Sequence, residues 1–250
     1  MARQRDRITY MVRYAMAHPK RLAPHIRRLT RNAIIGARHR DHVGFYREVM
    51  RRNVAADPNL AVGSGSRKRW MELGKAQFDF LTANGLDPTH HMLEIGCGNL
   101  RGGWRFIDYL GPGQYTGIDI SPDVLLAAHR TLAEFDLHDK QPRLVPVDDL
   151  TLSWLPAGRF DVVHAHSVFS HCPIEVIAEC FANVGRVMAP KAFFDFTYNA
   201  TDGLPHQVLR EDYYYPPERL VELAEAHGFE AELRDDWDGN RQAKMRLRLR

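Results

Sequence analysis

Two glycines and an acidic residue stand at the spacing of a nucleotide site. Gly96 and Gly98 follow a short apolar segment, and Asp119 stands 21 residues after Gly98. Glycines at such a turn let backbone N–H groups approach a ligand closely and lead into a helix N-terminus, where anionic groups are favoured. An acid at that offset hydrogen-bonds a ribose diol. The spacing therefore predicts a site for a nucleotide-like ligand.

Acidic residues at two further positions extend this site. Asp148 and Asp149 follow the third predicted strand, where a carboxylate can accept a hydrogen bond from an adenine amino group. A loop acid that only faces water is the alternative for either of them. Glu94 stands just ahead of the glycines and is included among the candidate ligand-binding residues.

Three histidines are concentrated around the end of the fourth predicted strand. His164 and His166 share one face of that strand, and His171 belongs to the turn that follows. An imidazole is a suitable general base near neutral pH, so His171 is the first candidate and His166 the second. His171 as a helix cap, His164 as a core histidine, and a divalent metal beside the acceptor remain alternatives.

The elements that must position these residues alternate between strand and helix. The pattern predicts a doubly wound, mostly parallel α/β sheet with helices on both faces. The last seven residues alternate basic and apolar side chains, which is typical of an antiparallel strand with one solvated face. The expected strands are 91–95, 114–119, 143–147, 160–165, 192–198, one from 229 and 244–250.

A basic N-terminal extension precedes this domain. Residues 1–52 contain 14 Lys and Arg but only three acidic residues, whereas the remainder has 20 basic and 28 acidic residues. Three amphipathic helices are predicted, over about 6–18, 24–35 and 42–52. The division is 1–60 for the extension and 61–250 for the domain, with 55–66 as the best boundary.

The partner of this extension stays open. Helices packed on the core or on a second copy of the chain agree best with the usual behaviour of charge runs. An anionic membrane surface or an acidic partner is the alternative. No apolar run approaches the length of a membrane span, and the three cysteines fit neither a disulfide framework nor a zinc site, so the expected location is the cytoplasm.

Taken together, the strand-end motifs resemble those of class I S-adenosylmethionine (SAM) dependent methyltransferases. The resemblance covers about Gly85 to Arg250 and is carried by the segments 93–98, 115–121 and 160–163. It implies a seven-stranded sheet with an antiparallel last strand. It also implies that the glycine turn holds the methionyl part of SAM, that Asp119 and Ile120 meet the ribose, and that Asp148 or Asp149 contacts adenine. His166 would lie near the sulfonium.

A nicotinamide-linked oxidoreductase is the rival for the glycine turn. Its fingerprint G-x-G-x-x-G begins in the same way, but Arg101 stands here at the position of the third glycine. Glu94 and the alternating last strand also favour SAM.

Oxygen is the preferred methyl acceptor. The [ND]-P-P-[YF] motif, with which many family members methylate planar nitrogens, is absent after the fourth strand, where residues 165–167 read Ala-His-Ser. The acceptor pocket is expected to use Tyr198, Asn199, His206 and Tyr214, since tyrosines combine apolar faces with hydroxyl tips that suit a sugar or a phenol. A packing role is the alternative for the tyrosines.

Residues 93–103, the basic extension and residues 167–171 are similar to actinobacterial sugar O-methyltransferases, of the kind that act on mannose units of mycobacterial polymethylated polysaccharides. That likeness implies a mannose oligosaccharide precursor of methylmannose polysaccharide as acceptor. Two alternatives remain: a phenolic or other small-molecule O-methyltransferase, with Mg²⁺ as a cofactor to be tested, and an RNA-binding methyltransferase or non-catalytic SAM-binding protein. No recognised RNA-binding module is present in the sequence.

Overall fold

The computed structural model describes residues 19–237 and 241–250. For residues 19–25 it describes the backbone only. The predicted helix over 6–18 lies outside these residues. The described chain forms a central sheet with helices on both faces. Its helices are α1 (Pro19–Arg38), α2 (His42–Ala56), α3 (Pro58–Ala61), α4 (Arg67–Ala83), α5 (Gly103–Tyr109), α6 (Pro122–Glu134), α7 (Ile174–Val187) and α8 (Pro217–Ala226).

The strands confirm the predicted order along the chain. They are β1 (Met92–Ile95), β2 (Tyr115–Asp119), β3 (Arg143–Pro146), β4 (Phe160–Ala165), β5 (Met188–Ala200), β6 (His206–Val208), β7 (Asp212–Tyr215), β8 (Phe229–Leu233) and β9 (Ala243–Leu249). The main sheet has the order β3-β2-β1-β4-β5-β9-β8, and β9 runs antiparallel to both of its neighbours. The expected doubly wound, seven-stranded and mostly parallel sheet is therefore confirmed.

Two hydrophobic cores lie on opposite faces of this sheet. Val163, Phe194 and Leu247 face the side that is covered by α7 and α8. Val162 and Phe193 face the side that is covered by α4, α5 and α6. Neighbouring residues of one strand thus enter different cores, because successive side chains of a strand point to opposite faces. Because both faces of these strands are buried, their sequences are continuous apolar runs.

A row of polar side chains crosses the sheet at one level. Glu94, His164, Asp195 and Arg246 are successive register partners on β1, β4, β5 and β9. Arg246 donates two hydrogen bonds to the Asp195 carboxylate, at 2.8 and 2.7 Å, and both residues are buried. A paired charge of each sign at matched positions fixes the register of the antiparallel strand, since a slip would leave both charges buried and alone.

The segment 200–215 has no clear period in the sequence, yet it is partly regular in the structure. It contains an antiparallel hairpin of β6 and β7, and β7 also pairs in parallel with the end of β5, where Asn199 is opposite Tyr214. These strands were not predicted, because they are short and the pairing of β7 with β5 leaves no local period to detect.

The extension packs against the domain. Ile35 of α1 and Phe45 and Val49 of α2 form a small buried cluster, and α2 continues along the domain to α3. The predicted boundary at 55–66 contains α3, whose first turn is capped by the Asp57 carboxylate. No helix among the described residues is long and apolar enough to cross a membrane.

Candidate active site

A cavity of about 260 Å³ lies at the carboxyl ends of β1, β2 and β4, between these strand ends and α2. This is the edge at which parallel α/β sheets bind ligands. The cavity is lined by every residue that the sequence predicts for the SAM site, namely Glu94, Gly96, Gly98, Asp119, Ile120, Asp148, Asp149 and His166. His171, the first candidate for the base, lines the cavity too. Residues of the extension complete its wall: His42, Val43, Tyr46 and Met50.

The glycine turn has a backbone that only glycine adopts without strain. Gly96 and Gly98 have φ angles of +67° and +56°. A Cβ at Gly96 would lie 2.4 Å from Cγ2 of Val168, and one at Gly98 would lie 3.0 Å from Cγ1 of Val62. The turn is therefore packed closely on its protein side while its backbone lines the cavity.

The Asp119 carboxylate is fixed by backbone donors. One oxygen accepts from the Gly98 N–H at 3.0 Å, and the other accepts from the Ser121 N–H at 2.9 Å. Burial raises the pKa of Asp119 to about 6, although these hydrogen bonds favour the ionised form and oppose the rise. Each oxygen keeps a lone pair for a ligand, since a carboxylate can accept about four hydrogen bonds.

Arg47 of α2 joins the extension to the predicted adenine end of the cavity. Its guanidinium donates to the carbonyl oxygens of Ile120, at 2.7 Å, and Val147, at 3.2 Å, and it pairs with the Asp148 carboxylate. Asp149 instead accepts hydrogen bonds from the backbone and hydroxyl of Thr151. Both acids line the cavity, and neither is distinguished as the adenine contact.

Glu94 and Arg101 form the buried end of the cavity. Glu94 accepts a hydrogen bond from the Tyr115 hydroxyl, and burial raises its pKa to about 8. Arg101 donates to the carbonyl oxygen of Val62 and to Ser64, but its Nε makes no hydrogen bond among the described residues. A buried donor without a partner is costly, so this end of the cavity is suited to a polar, anionic group.

His166 is buried beside the cavity with both ring nitrogens free of hydrogen bonds to the described residues. Its ring centroid lies 5.4 Å from that of Trp237 and 6.1 Å from that of His164. Burial, together with the nearby Arg101 and Lys244 cations, holds the pKa of His166 well below its usual range. The neutral imidazole is therefore strongly favoured, which makes His166 a poor proton acceptor.

His171 has the opposite surroundings. Its Nδ1 lies 2.6 Å from the carbonyl oxygen of Glu211 and 3.5 Å from an oxygen of the Asp212 carboxylate. A carbonyl oxygen only accepts hydrogen bonds, so Nδ1 carries the proton and Nε2 of the neutral ring is the free acceptor. This is the arrangement of a general base with an acidic group behind it.

The helix α2 covers His171. The Tyr46 ring centroid lies 5.4 Å from that of His171, and His42 lies next to them with its pKa lowered to about 4, mainly by burial and also by Arg210. Tyr46, His42 and Arg47 were not identified from the sequence. The amphipathic pattern predicted their helix but carried no signal of which face meets the cavity.

The four predicted acceptor residues lie away from the cavity lining. Tyr198 is fully buried, and its hydroxyl makes no hydrogen bond among the described residues. Asn199 donates to the Tyr213 carbonyl oxygen at 3.1 Å. His206 and Tyr214 stack on the hairpin, with ring centroids 4.7 Å apart. Their part in acceptor binding stays a prediction.

The sequence also left open a divalent metal beside the acceptor. Across residues 19–237 and 241–250, no group of three or more His, Cys, Asp or Glu is arranged to hold a metal ion.

Comparisons with known proteins agree with the fold and the strand-end motifs. Residues 93–194 match the family model described as a methyltransferase domain. No curated protein sequence matches the chain.

Solved structures of methyltransferases share this fold. Magnesium protoporphyrin IX methyltransferase from Synechocystis PCC 6803, solved with bound SAM, is 14% identical with a TM-score of 0.62, and the match covers 83% of this chain and 96% of that one. A SAM-dependent methyltransferase from Aquifex aeolicus is 16% identical with a TM-score of 0.58, covering 76% and 96%.

Phosphoethanolamine N-methyltransferase 2 from Haemonchus contortus, solved with SAM, is 19% identical with a TM-score of 0.54. The match covers 64% of this chain but only 38% of the nematode protein. The family match therefore places a methyltransferase domain over residues 93–194, and the sheet order agrees with the fold of the solved methyltransferases.

Proposed function

We propose that this protein transfers the methyl group of SAM to a hydroxyl group of a carbohydrate, with a mannose oligosaccharide precursor of methylmannose polysaccharide as the best candidate. The observation that carries the proposal of an oxygen acceptor is His171, whose Nδ1 is held by the Glu211 carbonyl oxygen so that Nε2 is free to accept a proton. A hydroxyl must lose its proton on methylation. The sugar assignment rests on the sequence likeness of residues 93–103 and 167–171.

The cavity residues fit SAM. The positive φ angles of Gly96 and Gly98 provide a close backbone approach, and Asp119 offers carboxylate oxygens for a ribose diol. The unpaired Nε of Arg101 suits the carboxylate of the methionyl part, with Glu94 beside it. Ile120 and the acids Asp148 and Asp149 are assigned to the ribose and adenine end.

In this mechanism the protein contributes alignment and a base. SAM supplies a methyl group on a positively charged sulfur, which departs as a neutral thioether. His171 accepts the acceptor's hydroxyl proton at Nε2, and the adjacent Asp212 carboxylate stabilises the imidazolium that results. His166 lines the cavity near the strand end, and Trp237 packs against its ring.

SAM affinity is expected to fall in acid because of Asp119. A ribose diol donates to the ionised carboxylate, and the pKa of Asp119 is raised to about 6. Binding should therefore weaken roughly tenfold for each pH unit below 6 and level off above it. Calorimetric titration with S-adenosylhomocysteine from pH 5 to 8 measures this. The Asp119→Asn variant should bind weakly with little pH dependence, and an unchanged slope in that variant would contradict the assignment.

The acceptor class is tested with radiolabelled methyl groups on SAM. Mannose oligosaccharides, phenols and RNA are offered separately, with and without Mg²⁺ and a chelator. Label in the mannosides, located by NMR on an oxygen, supports the proposal. Label in phenols that is lost on chelation and restored by one metal supports the small-molecule alternative.

A nucleic-acid function receives little support from the extension. Arg28, Arg31 and Arg47 form hydrogen bonds and ion pairs with the protein itself. Phosphate contacts would make RNA binding fall steeply with salt, so a binding titration at low salt with no measurable affinity would remove this alternative.

A further inference from the structure

Three side chains of α1 hold the turn that precedes β7. Arg28 contacts the Asp212 carboxylate at 2.7 Å and the Glu211 carboxylate at 3.1 Å, and Arg31 contacts Glu211 at 2.6 Å. Asn32 donates to the Leu209 carbonyl oxygen at 2.8 Å and also to Glu211. One helix of the extension thus meets a turn almost two hundred residues away in the chain.

These contacts are more than surface ion pairs. The Glu211 side chain is 9% exposed, and three side chains of α1 converge on it. Burial acts to raise the pKa of Glu211, but the hydrogen bonds and charges of these residues outweigh it and lower the pKa. A buried carboxylate that lost these partners would be strongly destabilised, so the turn depends on α1 for its position.

The same turn contacts His171 directly. The Glu211 carbonyl oxygen accepts a hydrogen bond from Nδ1 of His171. One oxygen of the Asp212 carboxylate lies 3.5 Å from the same Nδ1, and the other oxygen binds Arg28. Leu209 and Arg210, just before the turn, have φ angles of +57° and +56°. Such a backbone is strained in residues other than glycine and persists only where surrounding contacts fix it.

We infer that Asp212 is a positioning residue for His171 and that α1 of the extension is part of the catalytic apparatus because Arg28 and Arg31 fix the Glu211–Asp212 turn. The inference rests on the proposed role of His171 as the base. It gives the basic extension a function inside the enzyme. Methyl transfer then requires α1 to be docked, although none of the side chains described for this helix, over 26–38, lines the cavity.

A double-mutant cycle tests the role of Asp212. Asp212→Asn keeps the size of the side chain and removes its charge, so kcat should fall roughly tenfold while the acceptor KM and the SAM dissociation constant stay unchanged. Asp212→Glu should restore part of kcat. In a His171→Ala background the same Asp212→Asn change should have no further effect on kcat, because Asp212 acts through His171.

The role of α1 is tested with Arg28→Ala, which should lower kcat with SAM affinity unchanged. Arg27→Ala is the matched control, since Arg27 is an exposed residue of the same helix, and its kcat should equal that of the wild type. Arg28→Lys, which keeps the charge, should recover part of the loss. Circular dichroism confirms that each variant is folded.

Two results separate the possible failures. If His171→Ala alone turns over at the wild-type rate, the proposed base is wrong. If His171→Ala is impaired but Asp212→Asn and Arg28→Ala are not, or if the losses of Asp212→Asn and His171→Ala simply multiply, the base stands and the positioning role is wrong.

Discussion

Replacing His171 by alanine is expected to lower kcat by roughly 10² to 10⁴, the usual contribution of a positioned general base. The free Nε2 is the atom that would accept the hydroxyl proton, because Nδ1 is engaged by the Glu211 carbonyl oxygen. SAM binding should be retained, since no hydrogen bond among the described residues joins His171 to the glycine turn or to Asp119. Turnover with saturating SAM and acceptor, together with calorimetric SAM binding, measures both effects.

His138→Ala provides the control for His171→Ala, because His138 is an exposed histidine outside the cavity. Its turnover should match the wild type. His166→Ala is compared in parallel. Since the pKa of His166 is held well below its usual range, its removal should affect packing and SAM affinity more than proton transfer. A fully active His171→Ala enzyme with an inactive His166→Ala enzyme would transfer the base role to His166.

The substitution Gly96→Ala is expected to damage both folding and SAM binding. Its Cβ would lie 2.4 Å from Cγ2 of Val168, at a φ angle of +67°. A left-handed backbone costs about 1–2 kcal/mol and overpacking about 1–3 kcal/mol, so the free energy of unfolding should fall by roughly 2–5 kcal/mol. If about 2 kcal/mol of this cost also makes the free energy of SAM binding less favourable, the SAM affinity falls about thirtyfold. Denaturant unfolding and calorimetry measure the two losses.

Gly158→Ala separates strain from collision. Gly158 has a similar φ angle of +61°, but a Cβ there meets nothing within 4 Å. Its substitution should cost only about 1–2 kcal/mol and leave SAM affinity unchanged. In the Gly96→Ala protein, Val168→Ala removes the colliding methyl groups and should recover part of the affinity. No recovery there, or an equal loss of affinity in Gly158→Ala, would show that the close packing of the glycine turn is unimportant.

The sequence by itself determined the sheet and which residues meet in the cavity that is predicted for SAM. Gly96, Gly98 and Asp119 are recognisable because each stands at the end of a strand that its own neighbours specify. Local turn geometry and apolar runs depend on consecutive residues, so they can be predicted without knowing the rest of the fold. The short hairpin of β6 and β7 lacked such a local signal and was missed.

The tertiary structure decided the surroundings of the two candidate bases. Which nitrogen of His171 can accept a proton depends on Glu211, 40 positions further along, whose carbonyl oxygen engages Nδ1. The position of the Glu211–Asp212 turn depends on Arg28, far away on the N-terminal side. His166 and His171 look alike in the sequence, yet burial beside Arg101 and Lys244 lowers the pKa of His166, whereas Nδ1 of His171 lies against the Glu211 carbonyl oxygen and near the Asp212 carboxylate. Protonation is set by charges and burial within a few ångströms, and only the folded chain brings those groups together.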